Sequence, residues 1–142
     1  MNAPQIVVDT SVFISALLSQ QGASYRLLTL IGRGLFDVNL SISLFAEYEA
    51  VAKRMLDQLP LSEQDLEEIL DYLCAVANRR SVFFLWRPFL PDPGDDMVLE
   101  LAVAARVQYI VTYNRRDFRG SEQFGIQIVT PKEFLDQIGL LQ

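Results

Sequence analysis

The stretch Ile6-Val7-Val8-Asp9-Thr10-Ser11-Val12 decides the fold. Its first three residues form a β-branched apolar run, which is typical of a strand buried on both faces of a parallel sheet. Asp9 follows directly, where the carboxyl end of that strand would lie. Because ligands of open parallel sheets bind beyond these carboxyl ends, we interpret Asp9 as a candidate site residue. The alternative is that Asp9 only caps the helix that follows it.

Outward from this stretch, short apolar strands alternate with amphipathic helices. Further strands are predicted at 38–42, 81–86, 109–112 and 126–129. Three of the helices have predicted cap residues, at Ser43, Ser62 and Thr130. The alternation favours an α/β fold, a three-layer α/β/α sandwich around a central parallel sheet. With no linker or internal repeat between these elements, we expect one domain over residues 1–142.

The composition is that of a globular protein, with 51% hydrophobic and 21% charged residues in a chain of 142. The chain has no histidine and one cysteine, Cys74. This excludes Ser-His-Asp and Cys-His catalysis as well as zinc sites built from cysteine and histidine. The net charge of −6 argues against a generic basic nucleic-acid binder, but a nuclease whose metal ions neutralise phosphate is still compatible.

The first residues lack the basic start and long apolar run of a signal peptide. No stretch approaches the roughly 18 consecutive apolar residues that a membrane span needs. We therefore expect a cytoplasmic protein without a membrane partner.

Four acids follow the predicted strands and belong near one edge of the sheet. Asp9 follows the first strand, Glu47 lies in the helix after the second, Asp95 opens the helix after the third, and Asp117 follows the fourth. Carboxylates at about 4 Å repel each other by about 4 kcal/mol at an effective dielectric of about 20. Such a group is tolerated when a cation lies among its members, and oxygen ligands of this kind suit Mg²⁺ or Mn²⁺.

Each acid also has an ordinary structural interpretation. Glu47 can be a surface acid near a helix start, and Asp117 can form an Asx-turn before Phe118. Asp92 and Asp95 fit a helix cap and its partner around Pro93. The neighbouring acids Asp96 and Glu100 are interpreted as solvated, or as pointing toward the site from one turn further on.

Four stretches together resemble the PIN domain family, and most closely its branch of VapC-type toxins. They are 6–12, 43–47, 92–96 with 99–102, and 110–118. The most specific is the last, a strand followed by Thr112-Tyr113-Asn114-Arg115-Arg116-Asp117-Phe118. The resemblance runs in the family's order over almost the whole chain.

The resemblance implies an endoribonuclease of a toxin–antitoxin pair whose metal-binding quartet is Asp9, Glu47, Asp95 and Asp117. It also implies polar support for this quartet, from Thr10, Ser11, Asp92, Asp96, Thr112 and Asn114. Two departures leave alternatives open. Asn114 stands where some relatives carry an acid, and Asp96 follows Asp95 where an amide is common, so either aspartate of the pair can be the ligand.

Three arginines lie beside Asp117, at Arg115, Arg116 and Arg119. We predict that they bind RNA phosphates, single-stranded or structured, although a solvated loop explains them equally well. Tyr113 can stack on a base, whereas Phe118, Trp86 and the run 82–85 are predicted core. Relatives commonly form homodimers and bind an antitoxin, and the apolar faces of 44–55 and 62–78 are compatible with such partners.

Two other functions remain open from the sequence. One is a catalytically silent PIN-like module that only binds protein, although all four acids are present. The other is a Mg²⁺-binding phosphate-receiver-like domain, which also gathers acids at strand ends. That domain requires a lysine after a late strand, and the chain offers only Lys53 within a helix and Lys132 inside a predicted capping box.

Overall fold

The computed structural model describes residues 3–82 and 90–140. Within these ranges the strands are β1 (Gln5–Val8), β2 (Asp37–Leu40), β3 (Asn78–Arg79), β4 (Tyr109–Val111) and β5 (Gln127–Val129). The helices are α1 (Thr10–Leu18), α2 (Ala23–Leu30), α3 (Ile42–Arg54), α4 (Glu63–Val76), α5 (Pro93–Ala104) and α6 (Pro131–Gln137). Short 3₁₀ helices cover Leu56–Gln58, Arg115–Phe118 and Ser121–Phe124.

The strands form one parallel sheet in the order β3-β2-β1-β4-β5. The chain builds outward from β1 through β2 to β3, and then crosses to the other side of β1 to place β4. The strand order therefore reverses between β1 and β4, with Val8 paired to Val111. This reversal opens a crevice at the carboxyl edge of the sheet, which is where ligands of such folds bind.

Helices cover both faces of the sheet. Ile6, Val7 and Val8 are each at most 6% exposed. Because successive side chains of a strand point to opposite faces, this burial requires packing on both sides. On one face Val8 and Val38 lie among residues of α1 to α4, and α5 contacts β1, β2 and β4. The predicted three-layer α/β/α sandwich is confirmed.

Most of the cap residues predicted from the sequence lie at helix starts in the structure. Ser62 and Asp65 form a reciprocal capping box at α4, and Thr130 and Glu133 form another at α6. Each box satisfies backbone N–H groups that a helix start leaves without intrahelical partners. None of the described helices is both long and apolar enough to cross a membrane.

The predicted junction between the second strand and the helix after it is wrong. The second strand ends at Leu40, and the cap of α3 is Ser41, whose Oγ accepts a hydrogen bond from the Leu44 N–H at 3.1 Å. Ser43 lies inside the helix instead, since the apolar period alone does not fix where a helix begins. The third strand lies at Asn78–Arg79, before the predicted range, whose residues 83–86 lie outside the described part of the chain.

Candidate active site

Asp9 is a buried carboxylate at the carboxyl end of β1, only 6% exposed. Its Oδ2 accepts hydrogen bonds from Thr112 Oγ1 at 2.7 Å and from Ser11 Oγ at 3.0 Å. The Asp9 side chain makes no capping hydrogen bond to α1, although its backbone carbonyl accepts from Val12 N at 3.0 Å. Asp9 is the N-cap residue of α1 by position, but its side chain does not cap the helix and is bound by Thr112 and Ser11 instead.

Thr112 connects the ends of β1 and β4. It is fully buried, and its hydroxyl donates to Asp9 while accepting the Asn114 N–H at 2.9 Å. The predicted support from Asn114 thus comes through its backbone N–H. A hydroxyl with both a donor and an acceptor partner cannot rotate freely, so the orientation of Asp9 is fixed.

Glu47 reaches the same edge from α3. Its Oε2 accepts a hydrogen bond from Thr10 Oγ1, the residue that follows Asp9. Thr10 and Ser11 therefore each support a different acid of the predicted quartet. The interpretation of Glu47 as a solvated surface acid is wrong, because its carboxylate is only partly exposed and is bound to α1.

Tyr48 lies beside these acids, within the range 44–55 for which the sequence predicts an apolar helix face. It is buried, stacks on Phe13 with ring centroids 4.6 Å apart, and donates its hydroxyl to the Val8 carbonyl. Burial, and then the negative charges of Asp9 and Glu47, raise the pKa of Tyr48 well above its ordinary value. Tyr48 stays neutral and anchors α3 to the end of β1.

The start of α5 meets Glu47. Asp92 is the cap of α5, and its Oδ1 accepts the Gly94 N–H at 2.7 Å. A Cβ atom at Gly94 would lie 3.5 Å from Glu47 Oε1 and 3.2 Å from Asp92 Oδ1. The carboxylate of Glu47 on α3 therefore lies against the first turn of α5.

Asp95 lies within the electrostatic reach of the other acids. Burial, and then the charges of Asp9, Asp92, Asp117 and Glu47, raise the pKa of the Asp95 carboxyl from 3.8 to about 7. Four carboxylates from separate segments therefore act on the same side chain. This is the physical sign that the predicted acids converge at one edge of the sheet.

Asp96 occupies a different environment from Asp95. It is 8% exposed, and its Oδ1 accepts the Leu90 N–H at 2.8 Å. Glu100, one turn later, is equally buried. The interpretation of both as solvated acids is wrong. Because Asp96 binds the backbone of the segment before α5, the geometry favours Asp95 as the aspartate of the pair that faces the other acids.

Asp117 is exposed on the 3₁₀ helix Arg115–Phe118. Its backbone N–H donates to the Asn114 carbonyl at 2.9 Å, and its charge contributes to the raised pKa of Asp95. The adjacent Phe118 is fully buried, as predicted. Tyr113 is 46% exposed, and its hydroxyl is hydrogen-bonded to the buried Ser24 Oγ.

The arginines beside Asp117 differ from one another. The Arg115 guanidinium forms a salt bridge with Glu133 at the start of α6, Nη1 to Oε2 at 3.0 Å. Arg116 and Arg119 are exposed, and neither forms an ion pair with a carboxylate of residues 3–82 or 90–140. All three predicted arginines are therefore exposed, and they differ in that Arg115 is paired with an acid of α6.

The donor set fits a hard divalent cation in its chemistry, although its members are not closed around one. In the part of the chain that the structure describes, no three carboxylates or thiols already form a metal-binding group. The raised pKa of Asp95 is caused first by burial and then by four neighbouring acids, so part of the shift comes from negative charge at this edge. Carboxylate oxygens are the ligands that Mg²⁺ and Mn²⁺ prefer, and such a cation would neutralise that charge.

The comparison with protein families agrees with the fold. The family model described as PIN domain matches residues 5–116, which is 112 of the 142 residues. The match includes Asp9, Glu47 and Asp95 and ends directly before Asp117. No curated protein matches the chain. PIN domains are generally nucleases that use divalent metals, and this chain belongs to the PIN domain family.

Proposed function

We propose that this protein is an endoribonuclease that hydrolyses RNA phosphodiester bonds with the help of Mg²⁺ or Mn²⁺. The observation that carries the proposal is the set of hydrogen bonds that hold the Asp9 and Glu47 carboxylates at the carboxyl edge of the sheet, from Thr112, Ser11 and Thr10. The raised pKa of Asp95, caused first by burial and then by the charges of Asp9, Asp92, Asp117 and Glu47, adds support. In a chain without histidine, these carboxylates are the groups available for phosphodiester hydrolysis.

Asp9, Glu47, Asp95 and Asp117 would hold the cation. When bound, such a cation lowers the pKa of a water molecule and stabilises the negative charge that develops on the phosphate. Thr112 and Ser11 hold the Asp9 carboxylate in place, and Thr10 orients Glu47. These contacts exist before substrate arrives, so little reorganisation of the acids is needed on binding.

The remaining residues bind RNA and orient water. Glu47 or Asp117 orients the attacking water. Asp117 is exposed and Glu47 has one oxygen not used by Thr10, so both have acceptor capacity for this task. Arg116 and Arg119 bind phosphates of the RNA strand on the Asp117 side.

A cleavage assay tests this proposal. The purified protein should cut single-stranded RNA in Mg²⁺ or Mn²⁺, stop cutting in EDTA, and resume when metal is added back. The Asp9→Asn protein, purified in parallel, controls for contaminating nuclease and should be inactive in the same buffers. Full cleavage in EDTA contradicts the metal-dependent mechanism.

We further propose that the protein is the cytoplasmic toxin of a toxin–antitoxin pair and forms a homodimer. The support is the resemblance to VapC-type toxins and the exposed apolar side chains of Tyr72 and Val76 on α4. Light scattering should give twice the 16.1 kDa of one chain. The product of the adjacent gene should inhibit RNA cleavage, and cleavage unchanged by that product contradicts the toxin assignment.

A further inference from the structure

A groove lies on the other side of the acids from Arg116 and Arg119. It has a volume of about 520 Å³ and is lined by the end of β2, the start of α3, Cys74 of α4, and the end of β3. Two arginines, Arg79 and Arg80, contribute its charge, and Ile42 and Phe45 contribute apolar surface. None of the described residues that line it is acidic, in a protein whose net charge is −6.

The arginines of this groove are open to a ligand. Both are exposed, and among the described residues neither forms an ion pair with a carboxylate. Arg80 is fixed to the sheet, because its Nε donates to Oδ1 of the fully buried Asn39 at 3.0 Å and its backbone N–H donates to the Leu40 carbonyl at 2.8 Å. Two positive groups at the end of a strand, one of them anchored, are suited to hold an anion.

The apolar side of the groove is unusual for an exposed surface. Ile42 is the first residue of α3 and is 88% exposed. Phe45 lies one turn later and lines the same groove. A surface that combines arginines with an aromatic ring and an aliphatic side chain suits a nucleotide, whose phosphate is charged and whose base has apolar faces.

The groove opens at the same edge of the sheet as the acids. All strands are parallel, so the carboxyl ends of β3, β2, β1 and β4 share one edge. Two strand spacings separate β3 from β1, which is about 10 Å. A strand of RNA whose scissile phosphate lies at Asp9 would reach this groove within a short run of nucleotides.

We propose that the groove binds a nucleotide of single-stranded RNA to one side of the scissile phosphate. This rests on the proposed function and adds a substrate subsite to it. Arg79 and Arg80 contact a phosphate, and the base lies against Ile42 and Phe45. With Arg116 and Arg119 at the opposite flank, the RNA strand crosses the carboxyl edge of the sheet over the acids.

Binding of a labelled short single-stranded RNA, followed by fluorescence anisotropy in EDTA over a range of KCl concentrations, tests the subsite. Arg79→Gln should raise Kd about fivefold to tenfold at moderate salt. It should also reduce the slope of log K against log salt by about 0.7, the value for one phosphate contact on a single strand. Ile42→Ser should raise Kd several-fold and leave the salt slope unchanged.

Arg54→Gln is the matched control. Arg54 is an exposed arginine in the last turn of α3 and lies about 18 Å along the helix from Ile42. This substitution removes the same charge outside the groove and should change neither Kd nor slope beyond a small general effect. Thermal melts of all variants should coincide, because none of the three side chains is buried.

Three results overturn the subsite. They are an equal effect of Arg79→Gln and Arg54→Gln, no detectable RNA binding by the wild-type protein, and an Ile42→Ser protein that loses self-association but binds RNA normally. The last result would assign the groove to a second copy of the chain.

RNA binding that depends on Arg79 without any cleavage would contradict the proposed function and support the subsite. RNA cleavage and RNA binding that are both unaffected by Arg79→Gln would contradict the subsite and support the proposed function.

Discussion

Asp9 at the end of β1 and Asp95 at the start of α5 are both aspartates, but their carboxylates lie in opposite surroundings. Asp9 is the more buried, yet two hydroxyl groups donate to its Oδ2. No side-chain or backbone donor of residues 3–82 or 90–140 contacts the Asp95 carboxylate, and burial and four neighbouring acids raise its pKa to about 7. Burial alone therefore does not determine how a carboxylate behaves in this site.

The difference teaches how the site divides its tasks. The strand end supplies a carboxylate whose charge and orientation are already stabilised by hydrogen bonds. The helix start supplies a carboxylate whose charge is unfavourable until a cation arrives. Asp9 is held in one position by its hydrogen bonds, whereas the charge of Asp95 depends on pH and on the cation proposed above.

The largest expected effect of removing either charge is on catalysis. Asp9→Asn and Asp95→Asn should each lower kcat/KM for RNA cleavage about 100-fold or more, because both remove a cation ligand. Asp71→Asn, an exposed position of α4, is the control and should keep full activity. A fully active Asp95→Asn protein would place the ligand at Asp96 or elsewhere.

The hydrogen bonds of Asp9 should carry a measurable part of the stability. Thr112→Val keeps the shape of the side chain but leaves Asp9 Oδ2 with one donor and the Asn114 N–H without its acceptor. We expect a loss of about 1–3 kcal/mol in the free energy of unfolding, measured by urea denaturation at pH 7. Thr29→Val on the exposed side of α2 is the matched control. Equal stability of the two variants would show that the Asp9 contacts are not stabilising.

Asp95 should destabilise the metal-free protein as pH rises. Its pKa is about 7 in the folded protein and 3.8 as the ordinary value, so the folded state binds the proton more tightly. The contribution of Asp95 to stability is therefore fully present below about pH 4 and is lost as pH rises through about 7. After allowance for solvent screening of this partly exposed group, Asp95→Asn should gain about 1–2 kcal/mol at pH 8 in EDTA.

The pH profile of unfolding separates the two acids. The gain of Asp95→Asn should vanish near pH 4, where the wild-type carboxyl is protonated. Asp9→Asn should show no such gain at pH 8, because its hydroxyl partners already stabilise the charge. A pH-independent difference between Asp95→Asn and wild type would mean that the acids do not interact.

The smallest effect is expected at Arg115. Its salt bridge with Glu133 joins two side chains that are 55% and 42% exposed, and such pairs contribute about 0–1 kcal/mol. Arg115→Gln should therefore lower the melting temperature by no more than about 4 °C. It should affect RNA cleavage less than Arg116→Gln or Arg119→Gln does. A larger effect on cleavage than theirs would return Arg115 to the RNA-binding group.

The sequence predicts best what neighbouring residues decide. The run before Asp9 and the capping boxes at Ser62 and Thr130 depend on contacts within a few positions, and all of them are found. The prediction of Ser43 as the cap of α3 fails because Ser41 precedes the same apolar residues. The parallel sheet follows from the alternation of strands and helices, which constrains topology strongly.

Contacts between distant segments are less accessible to the sequence. The hydroxyl of Tyr48 reaches the Val8 carbonyl across 40 positions, and Glu47 approaches Gly94 across 47. A tyrosine on the apolar face of a helix is predicted to be a core residue, whether or not its hydroxyl group also binds a distant segment. The pairing of Arg115 with Glu133 likewise depends on where α6 begins relative to the loop after β4, a tertiary arrangement that no local pattern encodes.

The central place of β1 has a consequence for the order in which the protein matures during synthesis. β1 leaves the ribosome about a hundred residues before its neighbour β4. Until then one edge of β1 has no partner, Asp9 lacks the Thr112 hydroxyl, and Asp117 does not yet exist. Non-local pairing of this kind is slow to form and leaves strand edges open to association in the meantime. A nascent chain that has made β1 but not β4 therefore lacks the complete group of acids, which forms only after the segment up to Asp117 has been made.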